Sequence, residues 1–330
     1  MSVLAVTAYD LVKVYEPTPG WMRVFVRSPS QIAVTALDHV TFSVEPGQLC
    51  AVIGPNGAGK STLFRILTGL TTPSGGQVSV LGMNPVVDAR RIRRHVGFMP
   101  SEERTLFLRH TSRENLRFHG RLQGIEEVRL RSRIDEVLEV VGLWDARDRA
   151  GFALSSGMRA RLMLARAILH EPKVLVLDEP TGSIDPIGAH EFLELIIKIT
   201  VERETATLVS SHRLEEIEAL RDNVLLLDRG RVVFWGNLDH VKAVAEHKIY
   251  EVVCIDPDAA RHVAERVGAL LQSSNDILRE GSMVVFPARQ GSTIDLRWLV
   301  DLGSQVESVS LRKLSLRETI SALLTEGPSQ

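Results

Sequence analysis

The sequence predicts an α/β fold followed by a smaller α+β module, and three observations carry that prediction. The apolar run Leu49-Cys50-Ala51-Val52-Ile53 reads as a buried strand and passes through a glycine-rich turn into the helical pattern Thr62-Leu63-Phe64-Arg65-Ile66-Leu67. A second apolar run, Lys173-Val174-Leu175-Val176-Leu177, ends in Asp178-Glu179-Pro180, as a central parallel strand does when it delivers acids to its carboxyl end. From Lys248 onward the pattern changes to short strands and helices in the order β-α-β-β-α-β, which predicts a ferredoxin-like module.

The glycine-rich turn is specific. Gly54-Pro55-Asn56-Gly57-Ala58-Gly59-Lys60-Ser61 fits G-x-x-x-x-G-K-[ST] between a strand and a helix, the setting that a phosphate-binding loop requires. The glycines let bare N–H groups point at phosphate oxygens, and the helix beginning near Lys60 adds free N–H donors and its positive dipole end. Lys60 suits the β- and γ-phosphates and the Ser61 hydroxyl suits Mg²⁺. A glycine turn that binds nothing is the bland alternative, and the strand–loop–helix context weighs against it.

Bulk properties bound the rest. At 330 residues the chain holds one large domain or two moderate ones. A formal net charge of −2 leaves no basic bias, so no nucleic-acid partner is expected. Cys50 and Cys254 lie far apart and form no ligand or disulfide framework; Cys50 reads as a small core hydrophobe. The N-terminal ten residues lack a signal-peptide pattern, and no apolar run reaches about 18 residues, so a cytosolic protein without a membrane span is expected.

Along the chain, residues 4–15 and 33–44 alternate as strands do. Between them lies an insertion with Trp21, Arg23, Phe25 and Arg27, read either as a plain surface loop or as a contact patch for a partner or membrane surface. Residues 72–76 read as a turn, 77–81 as a strand and 88–95 as a basic helix with a solvated face. Residues 113–143 carry helical periodicity throughout, which places an α-helical insertion inside a strand-rich fold.

Leu154-Ser155-Ser156-Gly157-Met158 opens a further helix running to about His170, with Ser155 as a natural N-cap and Gly157 in a first turn able to face an anion. Asp178 suits Mg²⁺, and Glu179 suits orienting or deprotonating a water, because carboxylates buried without a partner are costly. Thr207-Leu208-Val209-Ser210-Ser211-His212 is another apolar strand ending in a polar tip, and His212 there is favoured as functional.

With these pieces in order, residues 4 to about 236 resemble the nucleotide-binding domain of ABC transporters. The resemblance implies a P-loop NTPase core with an antiparallel β subdomain and an α-helical subdomain at about 101–160, and ATP and Mg²⁺ as cofactors. On matching positions, residues Gly54, Pro55, Asn56, Gly57, Ala58, Gly59, Lys60, Ser61 and Thr62 are the Walker A loop, and Leu154 to Met158 the signature. Asp178, reaching Mg²⁺ through water, and Glu179 are the Walker B pair. Ser183-Ile184-Asp185-Pro186 corresponds to the D-loop, His212 to the switch histidine on γ-phosphate, and Tyr15 to the aromatic that stacks on adenine. The resemblance also implies two such domains sandwiching two ATP molecules head to tail, with Ser155 and Gly157 of one facing the nucleotide held by Lys60 of the other.

Two departures stand out. Ser156 and Met158 replace a glycine and the glutamine of the family's L-S-G-G-Q, while Ser155 and Gly157 are kept. Where the family has a glutamine after a proline, this chain has Pro100-Ser101-Glu102-Glu103; Ser101 is shorter, so a water completes the metal shell, and Glu102 and Glu103 read as solvated surface acids or as substitutes for the glutamine. The segment Lys313-Leu314-Ser315-Leu316-Arg317-Glu318-Thr319-Ile320 resembles the closing S-L-E-x-x-F of drug, antibiotic and polysaccharide exporters, with Arg317 and Ile320 off-pattern.

The expectation is therefore an ATPase domain over 1–236 and an accessory, dimerisation or regulatory domain over 237–330. It would act with a transmembrane permease and a second ATPase subunit, itself or a homologue, at the cytoplasmic face of the membrane. The alternatives are a soluble ABC ATPase acting on nucleic acid or ribosomes, and a nucleotide sensor that does not hydrolyse.

Overall fold

The structure, a computed structural model, describes residues 4–17, 32–101, 105–211, 213, 216, 223–237, 248–271, 278–287 and 305–313. Residues 18–30 of the aromatic insertion at 16–30, Glu102, Glu103, His212, the expected helix at 293–302 and the segment 314–320 lie outside the described residues. The chain divides into two compact units, Met1–Leu238 and Asp239–Glu326.

Among the described residues the first unit holds two sheets. Strands β1 (Val6–Tyr15), β2 (Val34–Val44) and β4 (Gly75–Val80) form an antiparallel sheet in the order β2-β1-β4. Strands β3 (Leu49–Ile53), β5 (Val96–Met99), β6 (Val174–Leu177), β7 (Ala206–Ser211), β8 (Asn223–Asp228) and β9 (Arg231–Asn237) form the other, ordered β5-β6-β7-β3-β8-β9. Its neighbours are parallel except for the final β8–β9 hairpin. Every residue of β3, β6 and β7 is buried, which explains why β3 and β6 read as unbroken apolar runs rather than alternating ones.

Helix α1 (Lys60–Leu67) joins the two sheets. Its Leu63, Phe64, Ile66 and Leu67 share one core with Leu11, Leu37 and Phe42 of the antiparallel sheet and Val52, Val176 and Leu208 of the parallel one. Burying four such side chains contributes on the order of 1.5–3 kcal/mol each before entropy is charged.

The basic segment at 88–95 is helical only over α2 (Ala89–Ile92). The segment at 113–143 is two helices, not one: α3 (Ser112–Leu122) and α4 (Glu127–Val140). Gly124, at φ 77 in the left-handed region, ends the first, a conformation that side chains with a Cβ resist. Periodicity alone misses the break because the apolar stripe lies on α4, at Leu130, Ile134, Val137 and Leu138, while α3 buries Ser112, Asn115, Leu116 and Gly120. Gly75, read from sequence within a turn, already pairs with Val12 in β4.

α3 starts on a capping box: Thr111 Oγ1 accepts from Glu114 N at 3.1 Å, and Glu114 Oε2 from Thr111 N at 2.8 Å. The chain then reaches α5 (Ser156–Ile168) and α6 (Pro186–Glu202). Arg133 of α4 is buried and donates to the carbonyls of Ile168 and Leu169, both at 2.9 Å, satisfying the end of α5.

The second unit has β10 (Lys248–Cys254), α7 (Pro257–Leu271), β11 (Leu278–Glu280), β12 (Met283–Pro287) and β13 (Val306–Lys313). Its antiparallel sheet runs β11-β12-β10-β13, the order of a β-α-β-β-α-β module. Val263 and Val267 of α7 pack on Val252, Val284 and Phe286. Among the described residues no helix is long and apolar enough to cross a membrane.

Candidate nucleotide site

The site is built on the carboxyl ends of three adjacent parallel strands. Ile53 of β3 pairs with Ser211 of β7, and Leu177 of β6 with Val209, so the segments leaving these strands emerge at one edge of the sheet. Crevices of this kind are where open α/β sheets bind ligands.

The loop after β3 wraps close to its surroundings. Gly59, at φ 106, is the N-cap of α1, and a Cβ there would collide with the Ala36 carbonyl oxygen of β2. No side chain caps α1, so the first-turn N–H groups of Lys60, Ser61 and Thr62 stay available to an anion. Pro55, Asn56, Gly57 and Ser61 are exposed, while Gly54 and Ala58 are buried.

Lys60 is only 5% exposed. Its Nζ donates to Gly54 O at 2.7 Å and Pro55 O at 3.2 Å and lies 4.0 Å from Glu179 Oε1. Burial holds the ammonium below the ordinary lysine range, against the opposing pull of Glu179 and Asp178. A phosphate group would relieve that desolvation, so the donor set fits a nucleotide polyphosphate.

Asp178, 5% exposed, accepts from Ser210 Oγ at 2.7 Å through Oδ1. Its Oδ2 has no hydrogen-bond partner among the described residues, and the Ser61 hydroxyl is exposed on α1, which fits a Mg²⁺ ion held by one hydroxyl, one carboxylate and waters. Glu179 stands at φ 48, a left-handed conformation for a residue with a side chain, and its N–H donates to the same Ser210 oxygen at 2.8 Å. Such strain costs on the order of 1–3 kcal/mol and persists only where surroundings enforce it.

The remaining candidates take these places. Ser155 caps α5, accepting from Met158 N at 3.2 Å, and is exposed; Gly157 lies in the first turn. Asp185 caps α6 through Gly188 N at 3.0 Å. A Cβ on Gly157 would sit 3.8 Å from Ile184 Cγ2, so the first turn of α5 lies beside the Ser183–Pro186 turn. Among the described residues no hydrogen bond joins Ser155 or Gly157 to the loop at 54–62. Tyr15 ends β1, half-exposed, with Lys13 Nζ 4.9 Å from its ring centroid; it pairs with Val34, two residues before the Ala36 that abuts Gly59. Ser101 is exposed just beyond β5.

Sequence reasoning assigned no role to Ser210, Thr181 or Glu216. The polar tip of the strand at 207–212 flagged the first, but only the packing of β6 on β7 aims its hydroxyl at Asp178.

Residues 37–182 match the ABC transporter family. The bacitracin transport ATP-binding protein BcrA of Bacillus licheniformis is 39% identical over 207 residues, covering 63% of this chain and 66% of that protein. NatA, an ABC transporter ATP-binding protein of Bacillus subtilis, is 34% identical over 206 residues, covering 62% of this chain and 83% of its own length. The methionine import ATP-binding protein MetN of Corynebacterium diphtheriae is 37% identical over 213 residues, which span 62% of it. The alignments with BcrA and MetN thus leave about a third of each relative unmatched.

Among solved structures, cbiO1 from Clostridium perfringens, part of the ABC transporter complex cbiONQ, superposes with a TM-score of 0.63 at 24% identity, covering 82% of this chain and 100% of that one. A dimeric ATP-binding cassette in a post-hydrolysis state with ADP and Pi gives 0.60 at 23% identity, covering 71% of this chain and 98% of that one. These two likenesses establish the fold, and the relatives establish the family. The chain belongs to the ABC transporter family, as an ATP-hydrolysing nucleotide-binding subunit.

Proposed function

We propose that this chain powers export through a separate membrane permease, pairing head to tail with a second ATPase subunit at the cytoplasmic face. The observation that carries the chemistry is the approach of Lys60 Nζ to Glu179 Oε1, at 4.0 Å, across the strand tips. It sets a cation for phosphate oxygens beside a carboxylate able to orient a water and accept its proton.

In this reading the backbone of residues 54–62 cradles the phosphates of ATP, and Lys60 exchanges the Gly54 and Pro55 carbonyls for phosphate oxygens. Ser61 and Asp178, with Ser101 through water, would hold Mg²⁺, which neutralises phosphate charge when bound. His212 contacts the γ-phosphate and Tyr15 stacks on adenine. Ser155 and Gly157, with the neighbouring Asp185 turn, complete the site of the partner subunit. One well-aimed donor is worth about 3–4 kcal/mol at a transition state, so pairing is what makes hydrolysis fast.

Export is supported by the bacitracin transport relative, by the probable multidrug relative YbhF of Escherichia coli at 37% identity, and by the export-type closing segment. Import is the second reading, favoured by the methionine import relatives at 37% and 34% identity.

The test uses tagged Glu179→Gln in the native host. Mg²⁺-dependent turnover of the wild-type chain should vanish in the variant while ATP binding persists. Membranes extracted in mild detergent with Mg-ATP should yield a multi-span protein in about equal amount; recovery without one would move the weight to a soluble ABC ATPase. Deleting the gene then separates the directions: accumulation of a toxic compound supports export, and lost uptake supports import.

A further inference from the structure

A carboxylate with no role above joins two segments of the site. Glu216 is 8% exposed, and its Oε2 accepts hydrogen bonds from Thr181 Oγ1 and Ser211 Oγ, both at 2.7 Å. Its Oε1 accepts from Arg213 Nη1 at 3.3 Å. Thr181 and Ser211 are themselves buried, so little water can replace the carboxylate; Ser211 Oγ has a second, longer acceptor in Arg213 O at 3.4 Å.

What these hydroxyls belong to gives the cluster its meaning. Thr181 lies two residues after Glu179, and Gly182 N closes the intervening turn on Glu179 O at 3.1 Å. Ser211 ends β7 beside Ser210, whose hydroxyl holds Asp178 and the Glu179 N–H. Ser211 Oγ also accepts Arg213 N at 3.0 Å, and Ser211 and Arg213 flank His212 in sequence. Glu216 therefore ties down the chain after Glu179 on one side and both covalent neighbours of His212 on the other.

We propose that Glu216 is a positioning residue for ATP hydrolysis, fixing the turn that carries Glu179 against the end of β7 that leads into His212. It touches neither nucleotide nor water in this role. Its carboxylate holds the turn that carries Glu179, and a small misplacement of a group that acts on the reacting water is costly in rate. The strained backbone of Glu179 supplies the reason for a clamp: a residue at φ 48 relaxes unless its surroundings hold it.

The inference rests on the hydrolytic reading above, and the experiment separates the two. On the full chain, steady-state Mg-ATP turnover, the Kd of a non-hydrolysable ATP analogue and thermal melting are measured for wild type, Glu179→Gln, Glu216→Ala, Glu216→Gln, Thr181→Val and the double variant Thr181→Val with Glu216→Ala. Wild-type turnover that disappears in Glu179→Gln upholds the hydrolytic reading whatever Glu216 does. Wild type without turnover overturns that reading, and the Glu216 proposal with it.

Given turnover, Glu216→Ala should lower kcat about tenfold or more, at a temperature well below its melting point, with the analogue Kd within about threefold of wild type. Glu216→Gln keeps a carbonyl oxygen for both hydroxyls and should recover most of the rate. Thr181→Val cuts one arm of the clamp, and adding it to Glu216→Ala should cost nothing further, since both break one connection. A kcat for Glu216→Ala within twofold of wild type, an equal loss of analogue affinity, or additive losses in the double variant would each overturn the proposal. Should Glu216→Ala fail to fold, Thr181→Val decides: a rate within twofold of wild type overturns the proposal, and a drop of about tenfold with Kd retained upholds it.

Discussion

Ser210 Oγ donates to Asp178 Oδ1 at 2.7 Å. The same oxygen accepts the N–H of Glu179 at 2.8 Å, so one hydroxyl orders both members of the acidic pair. It fixes which oxygen of Asp178 is left for a cation and holds the Glu179 backbone in its left-handed turn. Ser210→Ala removes donor and acceptor at once from a fully buried position. We expect a loss of about 1–3 kcal/mol in urea unfolding and a kcat lowered by at least about tenfold. Unchanged turnover in a folded Ser210→Ala protein would refute this reading of the hydroxyl.

Lys60 spends its charge on two carbonyls of its own loop, at 2.7 and 3.2 Å, with the Glu179 carboxylate at 4.0 Å. Phosphate oxygens offer the ammonium a stronger partner than neutral carbonyls do. Lys60→Ala should weaken ATP binding by about 10- to 150-fold, the equivalent of one charged hydrogen bond at about 1.5–3 kcal/mol. Fluorescent-nucleotide titration checks it, and an affinity within twofold of wild type contradicts it.

Gly97 in β5 lets α5, the helix behind Ser155 and Gly157, approach the sheet closely. A Cβ there would collide with the Ala167 carbonyl oxygen and crowd Leu175 Cδ1 at 2.9 Å and Pro172 Cγ at 3.0 Å. Backbone cannot give way as a side-chain tip does, so Gly97→Ala is expected to destabilise the first unit by about 1–3 kcal/mol. Chemical denaturation measures this directly, and a stability equal to wild type would show that the helix shifts freely.

His119 of α3 gives the fold an acid-sensitive point. Burial, with the nearby Arg166 charge second, pushes its pKa from 6.5 down to about 4. Between those values the unfolded chain binds a proton that the folded chain refuses, so stability falls as pH drops through that window and rises as pH increases. His119→Gln should therefore show a smaller loss of melting temperature between pH 7 and about pH 4.5 than wild type does. Identical pH slopes for the two proteins would exclude His119 as a source of the effect.

The parts of the site that lie along single strands and loops were legible early. Gly54 to Thr62 and Asp178-Glu179 announce themselves because each needs a particular residue beside an unbroken apolar strand, and that pattern is local. The four strands of the C-terminal module were likewise readable along the chain, though not their order in the sheet. The break between α3 and α4 was not, because Gly124 ends a helix by its own backbone conformation while the apolar periodicity is carried by α4 alone.

The sequence by itself determined which residues are the candidates for phosphate, for a cation and for a proton, since motif spacing within one strand–loop–helix needs no distant partner. Only the tertiary structure decided how they meet. Residues 53 and 211 share a register, as do 177 and 209, and that register brings Ser210 to Asp178 and Glu179 to Lys60, while the fold brings Glu216 to Thr181. Those meetings span about thirty to a hundred and twenty residues of chain, where hydrogen bonds depend on strand order and burial and no local periodicity encodes them.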